Sequence, residues 1–310
     1  NARYFATNFF GFNNLMAGAD IKHGDATSYA NGNKLVSFMG RFNYSYADKY
    51  IATINMRGDG SSKLGANNKW GFFPLAWVLK EEDFLKDVSA VSNLKVRVGY
   101  GLTGNQDAIS AYNSLMLMSP TGTTTVNGKP VVTYGINRND NPDLRWEVKK
   151  MFDAGIDASF FDNRLSATFD YYYSKTTDLL YNYSVPVPPF AYGSMLANLG
   201  SMMNEGVEFS VTAIPLKKKD MELTVSANFS WQRNELLSLD GTYNGQPLSA
   251  EKYMSLASMN GAGFIGGNNK VVYQMVGQPV GVFYLPKSDG LVDKEGNGVY
   301  THHVVNLDGN

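Results

Sequence analysis

Leu35-Val36-Ser37-Phe38-Met39-Gly40-Arg41-Phe42-Asn43-Tyr44-Ser45-Tyr46 decides how this chain is read. Its even positions are Val36, Phe38, Gly40, Phe42, Tyr44 and Tyr46, and its odd positions include Ser37, Arg41, Asn43 and Ser45. A period of two sends successive side chains to opposite faces of a strand, so one face is apolar and the other polar. After the short turn Ala47-Asp48-Lys49 the even positions Tyr50, Ala52, Ile54 and Met56 stay apolar, while Thr53, Asn55 and Arg57 are polar. Two adjacent strands that keep one parity on one face make a hairpin.

The same unit recurs downstream. Phe152, Ala154, Ile156, Ala158 and Phe160 alternate with Asp153, Gly155, Asp157 and Ser159. The turn Phe161-Asp162-Asn163-Arg164 follows, and Leu165, Ala167, Phe169, Tyr171 and Tyr173 form the next apolar row. A third hairpin runs Val207, Phe209, Val211, Ala213, turns through Pro215 to Asp220, and returns as Met221, Leu223, Val225, Ala227, Phe229, Trp231. Residues 69–80 and 93–102 read as a further pair joined by the acidic segment Glu81 to Asp87. About eight strands are clear, with one or two weaker ones.

Connections alternate in length. Those near 47–49, 161–164 and 215–220 are short, whereas 58–69, 103–143, 175–203 and 233–270 read as long links rich in Gly, Asn, Ser and Thr. Antiparallel strands with short turns at one end and long loops at the other are what an outer-membrane barrel requires. The strand runs also reach or exceed the roughly 9–11 residues needed to cross a bilayer at a tilt. Lys150 interrupts an otherwise apolar row, and a membrane band at 152–160 leaves it above the hydrocarbon. Tyr46 and Tyr50 beside one turn, with Tyr173 and Trp231 at far strand ends, fit aromatic girdles.

Composition agrees with this. Only 18% of the 310 residues are charged, against about a quarter in average proteins, and 13% are aromatic. The formal net charge of -1 excludes a basic nucleic-acid footprint. No cysteine is present, which excludes a disulfide framework, a zinc-cysteine site and thiol chemistry. No run approaches 18 apolar residues, so no transmembrane helix is expected. Alternation alone leaves a soluble β-sandwich or an open sheet with one solvated face in play. The polar rows, however, carry Ser, Thr, Asn and Gly where a soluble sheet would carry more Lys and Glu. The chain opens Asn1-Ala2-Arg3 without an initiator Met and closes at Leu307-Asp308-Gly309-Asn310 in what reads as a turn, so it is expected to be an interior piece of a longer protein.

Several motifs mislead. Gly99-Tyr100-Gly101-Leu102-Thr103-Gly104 has G-x-G-x-x-G spacing, and Ala108 to Met118 could pass for the following helix. No Asp or Glu stands between Asp107 and Asp140 to bind a ribose, and no βαβ alternation follows, so it reads as a glycine-bearing strand end. Arg57-Gly58-Asp59 reads as a polar strand end entering a turn rather than as an adhesion tripeptide. His23 stands alone and His302 and His303 are adjacent, so none has a partner at metal-ligand spacing. Asn306, Asp308 and Asn310 alternate as oxygen ligands do at the start of a calcium loop, the one candidate metal site, although no closing acid follows. No nucleophile stands in a catalytic context, and no enzyme is expected.

At Leu35–Tyr46 with Asp48-Lys49-Tyr50 the chain resembles a barrel hairpin of the SusC/RagA-type TonB-dependent transporters of Bacteroidetes. Arg57-Gly58-Asp59-Gly60-Ser61-Ser62, Trp70-Gly71-Phe72-Phe73-Pro74, Ala76-Trp77 and Glu81-Glu82-Asp83-Phe84-Leu85 continue that pattern in order. So do Val96 to Gln106, Asn141-Pro142-Asp143-Leu144-Arg145-Trp146-Glu147, Asn204-Glu205-Gly206-Val207-Glu208-Phe209, Asn228-Phe229-Ser230 and Val276-Gly277-Gln278-Pro279-Val280-Gly281. The resemblance implies an all-β, antiparallel transmembrane barrel of 22 strands, of which residues 1–310 are one part, with the N-terminal plug domain and remaining strands outside this sequence. It further implies import of oligosaccharides or oligopeptides, a SusD-like surface lipoprotein as lid, and energy from the TonB-ExbB-ExbD complex acting through the missing N-terminal part. The setting would be the outer membrane and its lipid, with no organic cofactor. The other reading is a non-transport surface β protein such as an adhesin or structural sheet protein. Family resemblance fixes no substrate residues. By loop position, Tyr112, Tyr134, Tyr181, Asn182, Tyr183 and Tyr192 are the candidates, because glycan recognition wants aromatic faces and amide or carboxylate groups for hydroxyls.

Overall fold

The computed structural model describes residues 13–15, 28–47, 49–81, 91–243, 245–248, 253–258, 270–284, 287–292 and 301–305. Ten strands carry most of it: β1 (Leu35–Tyr46), β2 (Tyr50–Ser61), β3 (Trp70–Glu81), β4 (Val91–Asn105), β5 (Leu117–Val126), β6 (Lys129–Arg138), β7 (Glu147–Phe160), β8 (Leu165–Ser184), β9 (Ser194–Lys218) and β10 (Met221–Ser238). Seven shorter strands follow: β11 (Gly241–Tyr243), β12 (Gln246–Leu248), β13 (Tyr253–Ser258), β14 (Lys270–Met275), β15 (Val282–Phe283), β16 (Lys287–Val292) and β17 (Thr301–Val305). Eight strands form one antiparallel sheet in the order β1-β2-β3-β4-β7-β8-β9-β10. It is open, with β1 and β10 at its edges.

Register keeps the two faces distinct from strand to strand. Phe42 stands opposite Ile54, Ile156 opposite Phe169, Phe169 opposite Phe209, and Phe209 opposite Phe229. Between Lys218 at the turn end and Lys150, Lys175, Glu205 and Arg233 at the loop end, this apolar face carries no charged residue across β7, β8, β9 and β10. Its large side chains are exposed, Phe38 at 66%, Phe42 at 57% and Phe229 at 61%. Exposed apolar area on this scale marks a face that meets another apolar surface, protein or lipid. The aromatic residues Tyr46 and Tyr50 sit at the turn end, with Tyr100, Phe152, Tyr173 and Trp231 near the loop end.

The polar face departs from simple alternation at β3. Phe73, Leu75 and Trp77 share it with Arg57, Asn55 and Thr53 of β2. Glycines of β4 make room for them: a Cβ at Gly99 would lie 2.6 Å from the Trp77 ring, and one at Gly101 or Gly104 would fall on Leu75 or Phe73. The three glycines of the false dinucleotide motif therefore seat β3 side chains flat against the wall, and the 108–118 stretch following them forms turns and the start of β5 in place of a helix.

Three links expected to be loops contain strands: within 233–270, β10 runs on to Ser238 and β11, β12 and β13 follow, and the other two are built from strand pairs. Within 103–143, β5 and β6 pair through Val126 opposite Lys129, and the two residues between them, Asn127 (φ 51) and Gly128 (φ 74), both take the left-handed conformation of a type I′ turn. Within 175–203, β8 and β9 continue past a register shift at Thr177/Leu179 to Ser184 opposite Ser194, which leaves only residues 185–193 as the connection. Short connections follow Tyr46 and Phe160 as expected, whereas the turn expected at 215–220 shrinks to the two residues beyond Lys218, because β9 runs on to pair Lys218 with Met221.

Candidate functional site

Loop-end segments are fixed by two devices. One is an apolar cluster of Leu64, Phe73, Ile109, Leu144 and Trp146, with Leu102, Val148, Leu180 and Leu196 packed against it. The other is a row of buried asparagines that ties 139–145 to β9. Asn139 donates from Nδ2 to the Tyr192 and Ser194 carbonyls and accepts at Oδ1 from the Ala191 and Tyr192 N–H groups. Asn141 donates to the Leu196 carbonyl, and Asn198 donates to those of Arg145 and Asp178 while accepting the Arg145 N–H. Each amide supplies a donor and an acceptor, so a segment without regular strand pairing still satisfies its buried backbone groups.

Beside this scaffold, at the loop end of β2, β3 and β4, lies a cavity of about 430 Å³. One wall is Asn55, Arg57 and Asp59 of β2, and the other is Thr103, Gly104 and Asn105 of β4 with Gln106 and Asp107. Leu35, Phe73, Leu75, Leu102 and Trp146 line the rest. Arg57 Nε donates to both carboxylate oxygens of Asp59 at 2.8 and 2.9 Å, with the Arg57 side chain 51% exposed and Asp59 only 6%. Asn105 is oriented by donating to Glu147 Oε2 at 2.9 Å and accepting the Asp107 N–H at 3.0 Å. Trp146 packs edge-on against Phe73, ring centroids 5.6 Å apart. Among the described residues, the buried Trp146 indole N–H and the Gln106 side-chain carbonyl have no hydrogen-bond partner. The chamber thus offers oriented polar groups beside aromatic surface, an arrangement that suits a hydroxylated ligand with an apolar ring face.

Further towards the turn end the polar face carries an ionic group. Gly155 stands between Arg97 on β4 and Asp170 on β8 in the strand register. Because Gly155 has no side chain, Arg97 reaches over it to donate to Asp170 Oδ1 at 2.7 Å and to Asp157 Oδ1 at 3.0 Å. A Cβ at Gly155 would fall on the Asp170 carboxylate and lie 2.7 Å from Arg97 Nη2. Gly155→Ala is expected to break this bridge and lower stability by about 1–3 kcal/mol, measured by urea unfolding of the full-length protein. Arg97→Gln in the same background should then add little, because the two changes remove one interaction.

The six loop candidates separate into different environments. Tyr181, Asn182 and Tyr183 lie on β8 and Tyr134 on β6, whereas Tyr112 and Tyr192 lie in connections. Tyr183 is 1% exposed, and its hydroxyl donates to the Leu239 carbonyl at 2.9 Å. It belongs to a cluster with Val185, Met195, Ala197 and Leu248, against which Tyr181 packs. Tyr112, Tyr134, Asn182 and Tyr192 are exposed. The structure brings none of the six to the cavity, whose lining residues come instead from β1 to β4 and the segments beside β4 and β7. Asn306, Asp308 and Asn310 lie outside the described residues.

Burial, with the neighbouring Tyr181 and Asp240, pushes the Tyr183 hydroxyl far above the usual tyrosine range. A raised value in the folded state means that the contribution is complete below the unfolded value of about 10 and lost as pH climbs above it. Tyr183→Phe is expected to cost about 1–3 kcal/mol at neutral pH, because the buried Leu239 carbonyl loses its donor. The same substitution should flatten the fall in thermal stability above pH ~10, read from melting curves across an alkaline series.

A family model described as TonB dependent receptor-like, beta-barrel, matches residues 1–309. The TonB-dependent receptor SusC of Bacteroides thetaiotaomicron is 35% identical over 294 residues, covering 90% of this chain and 28% of the relative. The TonB-dependent receptor P3 of Formosa agariphila is 37% identical over 317 residues, covering 96% of this chain and 31% of the relative. Among solved structures, the RagAB peptide importer in its open-open state superposes with a TM-score of 0.69 at 26% identity, over 94% of this chain and 31% of that one. Its closed-closed state gives 0.65 at 27% identity, over 88% and 29%. The chain therefore spans about a third or less of the proteins it matches. With its two-faced antiparallel sheet, it belongs to the TonB-dependent receptor β-barrel family.

Proposed function

We propose that this chain is part of the barrel wall of an outer-membrane importer that takes up oligosaccharides, with oligopeptides as the second substrate class. A SusD-like surface lipoprotein would act as its lid. The TonB-ExbB-ExbD complex would supply the energy through parts of the protein outside this sequence. The observation that carries the reading is the uncharged, exposed band from Phe152 to Phe160 and its neighbours, backed by a polar face suited to a water-filled interior. The short turns would then face the periplasm, and the loop-end scaffold would stand outside the cell.

For substrate, the cavity between Asn55, Arg57, Asp59 and Asn105 favours hydroxyl groups, and Trp146 and Phe73 offer aromatic surface to a sugar ring. Tyr112, Tyr134, Asn182 and Tyr192 are proposed as further contacts at the mouth. Calcium binding by Asn306, Asp308 and Asn310 is proposed from their spacing alone. In the full-length protein, Asn105→Ala and Arg57→Ala should each weaken binding of the imported oligosaccharide about tenfold by calorimetry, the equivalent of ~1.4 kcal/mol. Binding of peptides alone, unchanged by either substitution, would overturn the glycan reading. A full-length product recovered as a freely soluble monomer would overturn transport in favour of an adhesin or structural sheet protein.

A further inference from the structure

On the apolar face, Lys150 of β7 stands directly opposite Lys175 of β8. Both are exposed. Directly opposed residues of an antiparallel pair have Cβ atoms about 5 Å apart, and like charges so placed repel. Their neighbours in the same row are Leu102 on β4 and Met203 on β9, neither of which can neutralise them. The nearby carboxylates are engaged elsewhere: Arg233 lies 2.6 Å from Glu235 and 3.9 Å from Glu205. Among the described residues, neither lysine takes part in an ion pair.

Their height matters as much as their spacing. Lys150 lies ten residues from Phe160 and Lys175 ten from Leu165, the two residues that flank the short turn. At about 3.3 Å per residue and a tilt near 40°, both stand roughly 25 Å above that turn, the height of a barrel's apolar band. One step below them in the strand alternation are Phe152 and Tyr173, and below those the face is uncharged. The ammonium groups therefore stand where hydrocarbon gives way to headgroups.

We infer that Lys150 and Lys175 form a docking point for the phosphate group of an outer-leaflet lipid. A bound phosphate would neutralise two cations that repel each other when it is absent, while its acyl chains would lie along Phe152, Tyr173, Ile156 and Phe169. This site rests on the proposed membrane setting but is separate from transport.

The test uses the full-length protein in detergent, with lipid A carrying its phosphate and the same lipid with phosphate removed, followed by native mass spectrometry. Wild type should retain the phosphorylated lipid in preference. K150Q/K175Q should bind it roughly 30-fold more weakly, at about 1 kcal/mol for each of the two lysines and a tenfold change per 1.4 kcal/mol. The turn-end variant K217Q/K218Q should leave binding unchanged. Equal binding by wild type and K150Q/K175Q, or no preference for the phosphorylated lipid, would overturn the inference. So would displacement of the bound lipid by inorganic phosphate alone, which would make this a free-anion site. Heat-modifiable migration in gels checks that each variant folds. A protein that needs no detergent would contradict the membrane reading itself, whatever the lysines bind.

Discussion

Ile156→Lys is expected to destabilise the full-length barrel in lipid by about 2–4 kcal/mol, the cost of a cation near the bilayer midplane. Ile156 lies four residues from the turn-end Phe160, opposite Phe169 on the apolar face, and is 45% exposed. No carboxylate on that face lies within its stretch of the band to receive a lysine. Ser230→Lys on the other face should stay within about 0.5 kcal/mol, because it faces water and stands opposite Glu208. Urea unfolding in vesicles measures both. A soluble sandwich predicts no such asymmetry, since a lysine replacing an exposed isoleucine there costs little.

Leu144→Ala carries the other large effect, about 2–5 kcal/mol. Leu144 is fully buried between Leu64, Ile109 and Trp146, and its carbonyl accepts the Gly65 N–H at 2.8 Å. Gly65 packs so closely on the Pro142 carbonyl that a side chain there has no space. The segment cannot collapse to fill the void, so the cost should fall at the high end. Because the cluster braces one side of the cavity through Phe73 and Trp146, Leu144→Ala should also increase protease cleavage at 106–115 and weaken ligand binding. Unchanged cleavage and stability would show that the loop-end scaffold is held by the asparagine row alone.

Hairpins were legible wherever a strand had one face against each environment. Val36 to Tyr46, Phe152 to Phe160 and Val207 to Ala213 show period two because hydrocarbon and water select opposite residue types. That signal fades where both faces are covered by protein. Beyond Thr177, β8 and β9 bury Tyr183 and Met195 on one side and approach the Leu144 cluster through Leu180 and Leu196 on the other. Strand residues there look like a mixed loop, and three tyrosine and asparagine candidates were accordingly expected in a connection. The β5–β6 hairpin is marked locally by little more than Asn127-Gly128 within a threonine-rich stretch.

The cavity was harder to read because its walls are far apart in sequence. Arg57 and Asp59 looked like a strand end, and Asn105 and Trp146 were visible only as members of ordered motifs. Register is what brings them together. The Arg97 bridge to Asp157 and Asp170 likewise depends on residues 60 and 73 positions away, and on the absence of a side chain at Gly155. No local pattern reports either.

A barrel wall meets lipid on one face and water on the other. The chain has no cysteine, so single labels can be placed cleanly once any cysteine elsewhere in the full-length protein is replaced. Spin labels at Ile156→Cys and Ser230→Cys, in protein reconstituted into vesicles, should give opposite accessibilities by electron paramagnetic resonance. The label at 156 should collide with oxygen dissolved in the bilayer and be shielded from a water-soluble nickel chelate, and the label at 230 should show the reverse. Equal exposure of both labels to the nickel chelate would contradict a lipid-facing barrel wall.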